Sequence, residues 1–420
     1  EFKEHINSFI TTTEFAVRKF TAFPNKEEDF MKIFFDNNKD EFKNLELFKS
    51  RILGLVSYYR TQDKGLIPEV TKDEEIKVPM SEYQFMKYAK IRKDEIENDK
   101  QRSKNKKKKK PKKDGEIFEI KSSYRAYSRM HCSFVFPESI PRPYPINEEG
   151  EIDAQVEKDF NDQTDDEQKE IEKKKKKETK EKKEKDKEKE FKDLTDDEKK
   201  EIEKKNKKDK FKTYETEKDK ALKELDAKKL EYLTTEPDKL EKYSPKYNTI
   251  LESIKKNKGT SFIYTEYKTL EGIATLSIVL KANGYAPFLL KKNSAGEYIQ
   301  DYENPEDVKK PKFAFWGGGK PEESEILRKV YNNEFEDLPK TLKEQLEKTS
   351  KTNLRGESIE LLLTTKTGAE GIDLKNVRQV HIVEPYWNPV RIKQIKGRAV
   401  RVGSHIQLPK KERNVEIFLY

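Results

Sequence analysis

From residue 246 to residue 420, short apolar runs alternate with amphipathic ones, and that alternation limits the possible architectures. SFIYTEY (261–267) reads as a strand and LEGIATLSIVLKANGY as a helix closed by Gly284. FAFWGGG is a strand running into a glycine turn, PEESEILRKVYNN a helix, IELLLTT a buried strand and VRQVHIVE another. NPVRIKQIKGRAVR is a helix and NVEIFLY the last strand. Parallel strands need a crossover element between them, and strands covered on both faces are apolar throughout. The expected class is therefore α/β, a parallel sheet flanked by helices.

Upstream the character changes twice. Residues 1–60 read as a helical segment, with apolar spacing in FMKIFF and FKSRILGLVSYYR and no strong strand signal. In 61–150, Pro68 and IKVPMSEYQFMKY mark a strand-like start followed by Ser81 as a helix N-cap. A lysine-rich spacer and the aromatic segment SSYRAYSRMHCSFVFP follow. The spacer's KNKKKKKPKK (104–113) suits either a solvated loop or attraction to polyphosphate.

Charged residues make up 41% of the chain and hydrophobic ones 32%, so some of its length must be solvated. Residues 151–245 are where this falls: Lys and Glu dominate, and TDDEQKEIEKK at 164 recurs as TDDEKKEIEKK at 195. Each copy opens with Thr-x-x-Glu, a capping box. The segment reads as a long charged helical insertion projecting from the body, and no sustained apolar seam supports a coiled coil.

The single Cys132 excludes an intrachain disulfide and fits a reducing compartment, and four scattered histidines form no metal-ligand cluster. No apolar run approaches the roughly 18 residues that span a bilayer, and there is no signal peptide. The expectation is a soluble, intracellular protein without a membrane partner. A start at Glu1 and an end at Tyr420 within VEIFLY read as a fragment.

Two stretches carry chemistry. In LLLTTKTGAEGIDL (361–374) an apolar strand ends in Thr364 and Thr365, Gly368 and Gly371 permit tight turning, and Asp373 follows. Placed at a strand's carboxyl end, such a loop lies in the crevice where α/β sheets bind ligands. Its hydroxyls and N–H groups can hold phosphates, and its carboxylate can accept from a ribose hydroxyl. In VEPYWNPVRIKQIKGRAVRVGSH, Arg398 and Arg401 sit one helical turn apart. Guanidiniums stay charged and fork onto phosphate oxygens. Alone, the first could be any strand-to-helix turn, and the second reads as a surface helix making salt bridges.

Their order is more specific. TxxxGAEGIDL, a strand, WNP and then QxxGRxxRxG before the last strand resembles motifs V and VI of superfamily 2 helicases and translocases. WNP followed by Q-x-x-x-R-x-x-R is similar to the Snf2-type ATPases. RILGLVSYYR, the V-P-M-S-x-x-Q-F-x-x-Y run and SRMHCSFVFP resemble helicase-like ATPases and early transcription factors of large DNA viruses. The resemblance covers 246–420 and, more weakly, 1–140.

The resemblance implies a RecA-like second lobe of an ATP-dependent nucleic-acid motor. It implies Arg401 as the arginine finger, Arg398 as a neighbouring phosphate contact, and Gln394, Gly371 and Asp373 at the nucleotide. Thr365, Thr364 and Lys366 would meet nucleic-acid phosphates. ATP and Mg2+ would be held mainly by a first lobe. Nucleic acid, DNA more than RNA, would be the partner, with RNA polymerase or other transcription proteins possible and a virion or host cytoplasm as the setting.

The chain departs from that pattern at FAFWGGGKPEES, where Gly318 and Gly319 stand in place of a hydroxyl residue. It holds no G-x-x-x-x-G-K-[ST], and WGGGKP has the wrong spacing. DDEQ at 165 and DDEK at 196 lie in solvated Lys/Glu stretches rather than after an apolar strand, as an acidic box would. By itself the chain is expected not to hydrolyse ATP. The other reading of the same residues is a non-catalytic nucleic-acid-binding or protein-docking module.

Overall fold

The computed structural model describes residues 23–24, 27–36, 41–53, 64–106, 126–145, 214–317, 320–366, 371–386 and 388–420. The chain divides into two compact units, Glu1–Gln62 and Asp63–Tyr420. In the first, helices Glu27–Phe34 and Leu45–Ile52 flank a two-stranded antiparallel hairpin, Phe35–Asp36 with Glu41–Phe42. Phe30, Phe34 and Phe48 meet ring to ring and hold these pieces together. The helical reading of 1–60 is thus interrupted by a hairpin too short to show a strand pattern.

The second unit is built on a seven-stranded sheet whose neighbours are all parallel. Its strands in chain order are β1 (Glu69–Glu75), β2 (Thr260–Tyr264) and β3 (Ala286–Pro287). After the separate antiparallel hairpin β4 (Leu289–Lys292) and β5 (Tyr298–Asp301) come β6 (Lys312–Trp316), β7 (Leu361–Thr364), β8 (Val377–Ile382) and β9 (Asn414–Leu419). The spatial order is β1-β9-β8-β2-β7-β6-β3. The helices that position the site and core include α1 (Glu82–Lys106), α2 (Ala126–His131), α3 (Pro245–Lys256) and α4 (Ile273–Ala282), then α5 (Pro321–Tyr331), α6 (Lys340–Glu347) and α7 (Pro389–Ala399). This is the expected α/β class, a parallel sheet flanked by helices.

Side chains alternate across the strands, so the sheet has two apolar faces. Ile263, Leu361, Leu363 and Phe313 pack with Ile250, Leu251, Leu276 and Val279 of α3 and α4. Phe262, Tyr264, Leu362 and Val380 pack with Val330, Tyr331, Leu342, Ile395 and Ala399 of α5, α6 and α7. Helices thus cover both faces, as parallel sheets require.

Two expectations are corrected. Strand β1 lies upstream of IKVPMS and is exposed at every position. Acidic side chains such as Glu69, Asp73 and Glu75 suit an edge that must not pair further. Ser81 does cap α1: its Oγ accepts from the Gln84 amide at 3.0 Å.

The boundary expected at residue 246 lies earlier. Residues 214–227 are helical, and Tyr214, Ala221, Leu225, Leu233, Leu240 and Tyr243 are buried in the core beneath α3 and α4. Tyr214, Lys218, Ala221 and Leu225 recur at helical spacing, and burial of that stripe supplies what the surrounding Lys/Glu composition conceals. Both copies of the 31-residue repeat, and Lys107–Lys113 of the spacer, lie outside the described residues.

Candidate nucleotide and nucleic-acid site

Helix α7 carries two of the candidate residues, Gln394 and Arg398, and its start explains the Asn-Pro of WNP. Asn388 is the N-cap, its Oδ1 accepting from the Val390 amide at 2.9 Å, and Pro389 takes the first helical position, where no N–H is needed. Trp387 lies outside the described residues. Ile395 and Ala399 anchor the helix on the sheet, leaving Gln394 exposed and Arg398 half-buried.

Arg401 follows the last helical turn. Its guanidinium pairs with the carboxylate of Asp373, and its Nε donates to Gly397 O at 3.0 Å. Asp373 is the more exposed partner, 64% against 39% for Arg401, so both face water. Among the described residues, Arg398 has no ion-pair partner. The structure therefore brings Arg401 and Asp373 together and leaves Arg398 and Gln394 on the adjoining helix face.

The position of this pair corrects the sequence reading. Parallel strands β7 and β8 are separated by β2, so the chain must travel from the carboxyl edge of the sheet back to its amino edge between them. Thr364, Thr365 and Lys366 stay at the carboxyl edge, while Asp373 has crossed to just before β8. Helix α7 makes the same return: 11 residues at ~1.5 Å each cover about 16 Å. At its end the Gly403 amide donates to Leu66 O (2.7 Å), before β1, and the Asn376 amide donates to Ser404 O (2.9 Å), before β8. Gly371 and Asp373 thus lie outside the carboxyl-edge crevice. Gly371 has φ +80°, which is why glycine suits the turn.

Thr364 is corrected as well. It is fully buried, and its hydroxyl lies 3.1 Å from Trp316 O and 3.3 Å from Thr365 O, contacts internal to the sheet end. Thr365 is 5% exposed, and Lys366 is open to solvent.

A cluster that sequence reading missed occupies the carboxyl edge. Arg391 Nη1 donates to both carboxylate oxygens of Glu266 at 3.0 Å, and its guanidinium lies 3.8 Å from the ring centroid of Tyr386. Tyr264 OH donates to the same carboxylate at 2.8 Å. Beneath it, buried Glu384 accepts from Ser133 Oγ (2.7 Å), Thr265 Oγ1 (3.1 Å) and the Glu266 amide (2.9 Å). Burial pushes the Glu384 carboxyl up and the nearby Lys246 amine down, the lysine donating to Val383 O at 2.9 Å. Arg391 stands within the motif segment; Glu266, 125 positions away, gave no local sign.

Residues 323–403, from α5 through Gly403, match the helicase conserved C-terminal domain. A protein of Acanthamoeba polyphaga mimivirus named "Putative ATP-dependent RNA helicase" is 28% identical over 418 residues, 95% of this chain and 44% of that protein. Within this chain, residues 323–403 are thus similar to a helicase C-terminal domain. A "Termination factor NPH-I homolog" of African swine fever virus is 35% identical over 201 residues, covering 43% of this chain and 26% of that protein. The chain thus spans less than half the length of either relative. A crystal structure of the C-terminal part of the Fun30 ATPase domain matches 44% of this chain and 43% of its own at 13% identity. Its TM-score of 0.24 is too low to locate any residue of this lobe. Among the described residues, no helix is long and apolar enough to cross a membrane, and no His/Cys/Asp/Glu group could hold a metal ion.

Proposed function

We propose that this chain is the second motor lobe of an ATP-dependent nucleic-acid helicase or translocase, with Arg401 its arginine finger and Arg398 a neighbouring phosphate contact. The observation that carries the reading is Arg401 itself. Its guanidinium is accessible, fixed by a backbone carbonyl, and, among the described residues, balanced by a largely exposed carboxylate. A phosphate oxygen can replace such a partner at little cost, because exposed ion pairs contribute no more than about 1 kcal/mol. ATP, when bound, supplies a γ-phosphoryl whose transition-state charge needs cations of this kind.

The remaining residues divide by edge. Asp373 with Gly371 before it, and Gln394 on α7, stand beside the nucleotide. Lys366, exposed at the carboxyl edge beside the buried Thr365, faces nucleic-acid phosphate together with the Arg391 cluster. A first lobe would hold Mg2+ and the rest of the nucleotide. The ATP-dependent helicase and termination-factor names of the relatives support ATP use and a termination role; RNA polymerase or other transcription proteins are the partners we propose. Snf2-type spacing of WNP and the two arginines favours DNA as the track.

The test is nucleic-acid-stimulated ATP hydrolysis by the full-length protein. Arg401→Ala should lower kcat on the order of 10³-fold, as removal of arginine fingers does. Unchanged turnover overturns the assignment. A protein that binds nucleic acid with a steep salt dependence but no response to ATP would instead be a non-catalytic module.

A further inference from the structure

Arg401 lies beyond the last hydrogen-bonded turn of α7, where no helical ladder fixes its backbone. The element that fixes it is the turn that follows. The Arg401 amide points at Ser404 Oγ (3.4 Å), and the Ser404 amide donates to Arg401 O (3.2 Å). Ser404 Oγ also lies 2.8 Å from His405 Nδ1, 2.9 Å from Arg401 O and 3.2 Å from Ala399 O. A hydroxyl has one proton to give among these acceptors, and the histidine decides where it goes.

His405 Nε2 is 2.7 Å from Val377 O. A carbonyl only accepts, so Nε2 carries the hydrogen and the neutral ring offers its lone pair at Nδ1. The Ser404 proton is drawn to that lone pair, which leaves the oxygen's own lone pairs to receive the Arg401 amide. The result is one polarised chain: Arg401 N–H to Ser404 Oγ–H to His405 Nδ1, and His405 Nε2–H to Val377 O at the start of β8. Ser404 is 6% exposed and His405 1% exposed, so water does not compete for these groups. Burial also holds the His405 ring below its ordinary pKa, consistent with the neutral form.

We propose that His405 is a positioning residue for Arg401, acting through Ser404 to register the finger against the first residue of β8. The inference rests on the reading of Arg401 given above. Its consequence is mechanical: strand β8, rather than the frayed end of α7, sets where the guanidinium stands. A misplacement of about 1 Å at such a group can cost on the order of 10² in rate.

The experiment is a double-mutant cycle in the full-length protein, read as kcat and KM for ATP under saturating nucleic acid. His405→Phe should lower kcat on the order of 10²-fold with KM for ATP changed less than about threefold. In an Arg401→Ala background the same substitution should produce no further loss, because its only route to the reaction is gone. His405→Asn, which retains an acceptor near the Nδ1 position, should recover at least tenfold of that loss. Ser404→Ala breaks the same chain with a smaller change in volume, and serves where His405→Phe does not fold. Equal losses in both backgrounds overturn the positioning role while leaving Arg401 as the finger. Full turnover in Arg401→Ala alone overturns the functional reading beneath it.

Discussion

The guanidinium of Arg142 and the carboxylate of Glu271 form an ion pair from which solvent is nearly excluded, the side chains being 5% and 1% exposed. Nη2 donates to Oε2 at 2.9 Å, Nη1 to Pro143 O at 2.9 Å, and the guanidinium lies 4.5 Å from the Tyr144 ring centroid and 5.1 Å from that of Tyr127. This pair fastens the aromatic segment 126–145 to the loop that opens α4, beside the carboxyl end of β2.

Breaking one side of that pair should be costly. Arg142→Met leaves Glu271 charged in a place without water, a penalty of about 3–5 kcal/mol, whereas replacing both partners with apolar residues removes the charge as well as the partner. Urea unfolding of Arg142→Met should therefore show a large loss, and Arg142→Met/Glu271→Leu should regain more than half of it. A loss below about 1 kcal/mol in the single variant would show that the pair is hydrated and unimportant.

Gly397 lies inside α7, between Gln394 and Arg401, and a Cβ there would meet nothing within 4 Å. Helix interiors disfavour glycine by about 0.5–1 kcal/mol relative to alanine. Gly397→Ala should accordingly raise the midpoint of thermal unfolding. It should also lower ATP turnover of the full-length protein, because the open space on that face is where the nucleotide and first lobe are expected. A variant both more stable and fully active would mean that nothing approaches the helix there.

The alternation after residue 246 was legible because buried parallel strands are largely apolar, as in LLLT; VRQVHI keeps that signal only at Val377, Val380 and Ile382. Strand β1 was not: EVTKDEE is stabilised by backbone pairing to β9 on an exposed edge, so its side chains carry no apolar signal. The stripe Tyr214, Ala221, Leu225 was present in the sequence but diluted by Lys and Glu on the other faces of the same helix. At the site, local spacing singled out the arginines as candidates, yet the division between two sheet edges followed from strand order, which no local pattern encodes. The Ser404–His405 turn and the Arg391–Glu266 pair depend on residues brought together by that order.

His381 gives the fold a pH limit that can be measured separately from its carboxylates. It is fully buried in β8, its Nδ1 2.9 Å from Tyr420 OH and its Nε2 3.3 Å from Gln379 Oε1, with the Phe418 and Tyr420 rings stacked beside it. Burial lowers its pKa from 6.5 to about 3. The folded protein thus keeps the ring neutral while the unfolded chain takes up a proton below the ordinary value. The associated stability is intact above pH 6.5, begins to fall below it, and is fully lost near pH 3. Comparison of the chain with His381→Gln isolates this contribution, since the carboxylates are common to both. Near pH 5 the difference in slope of unfolding free energy should approach about 1.4 kcal/mol per pH unit, the value for one proton. Parallel curves for the two proteins, or an imidazole NMR signal titrating near 6.5, would show that water reaches the ring.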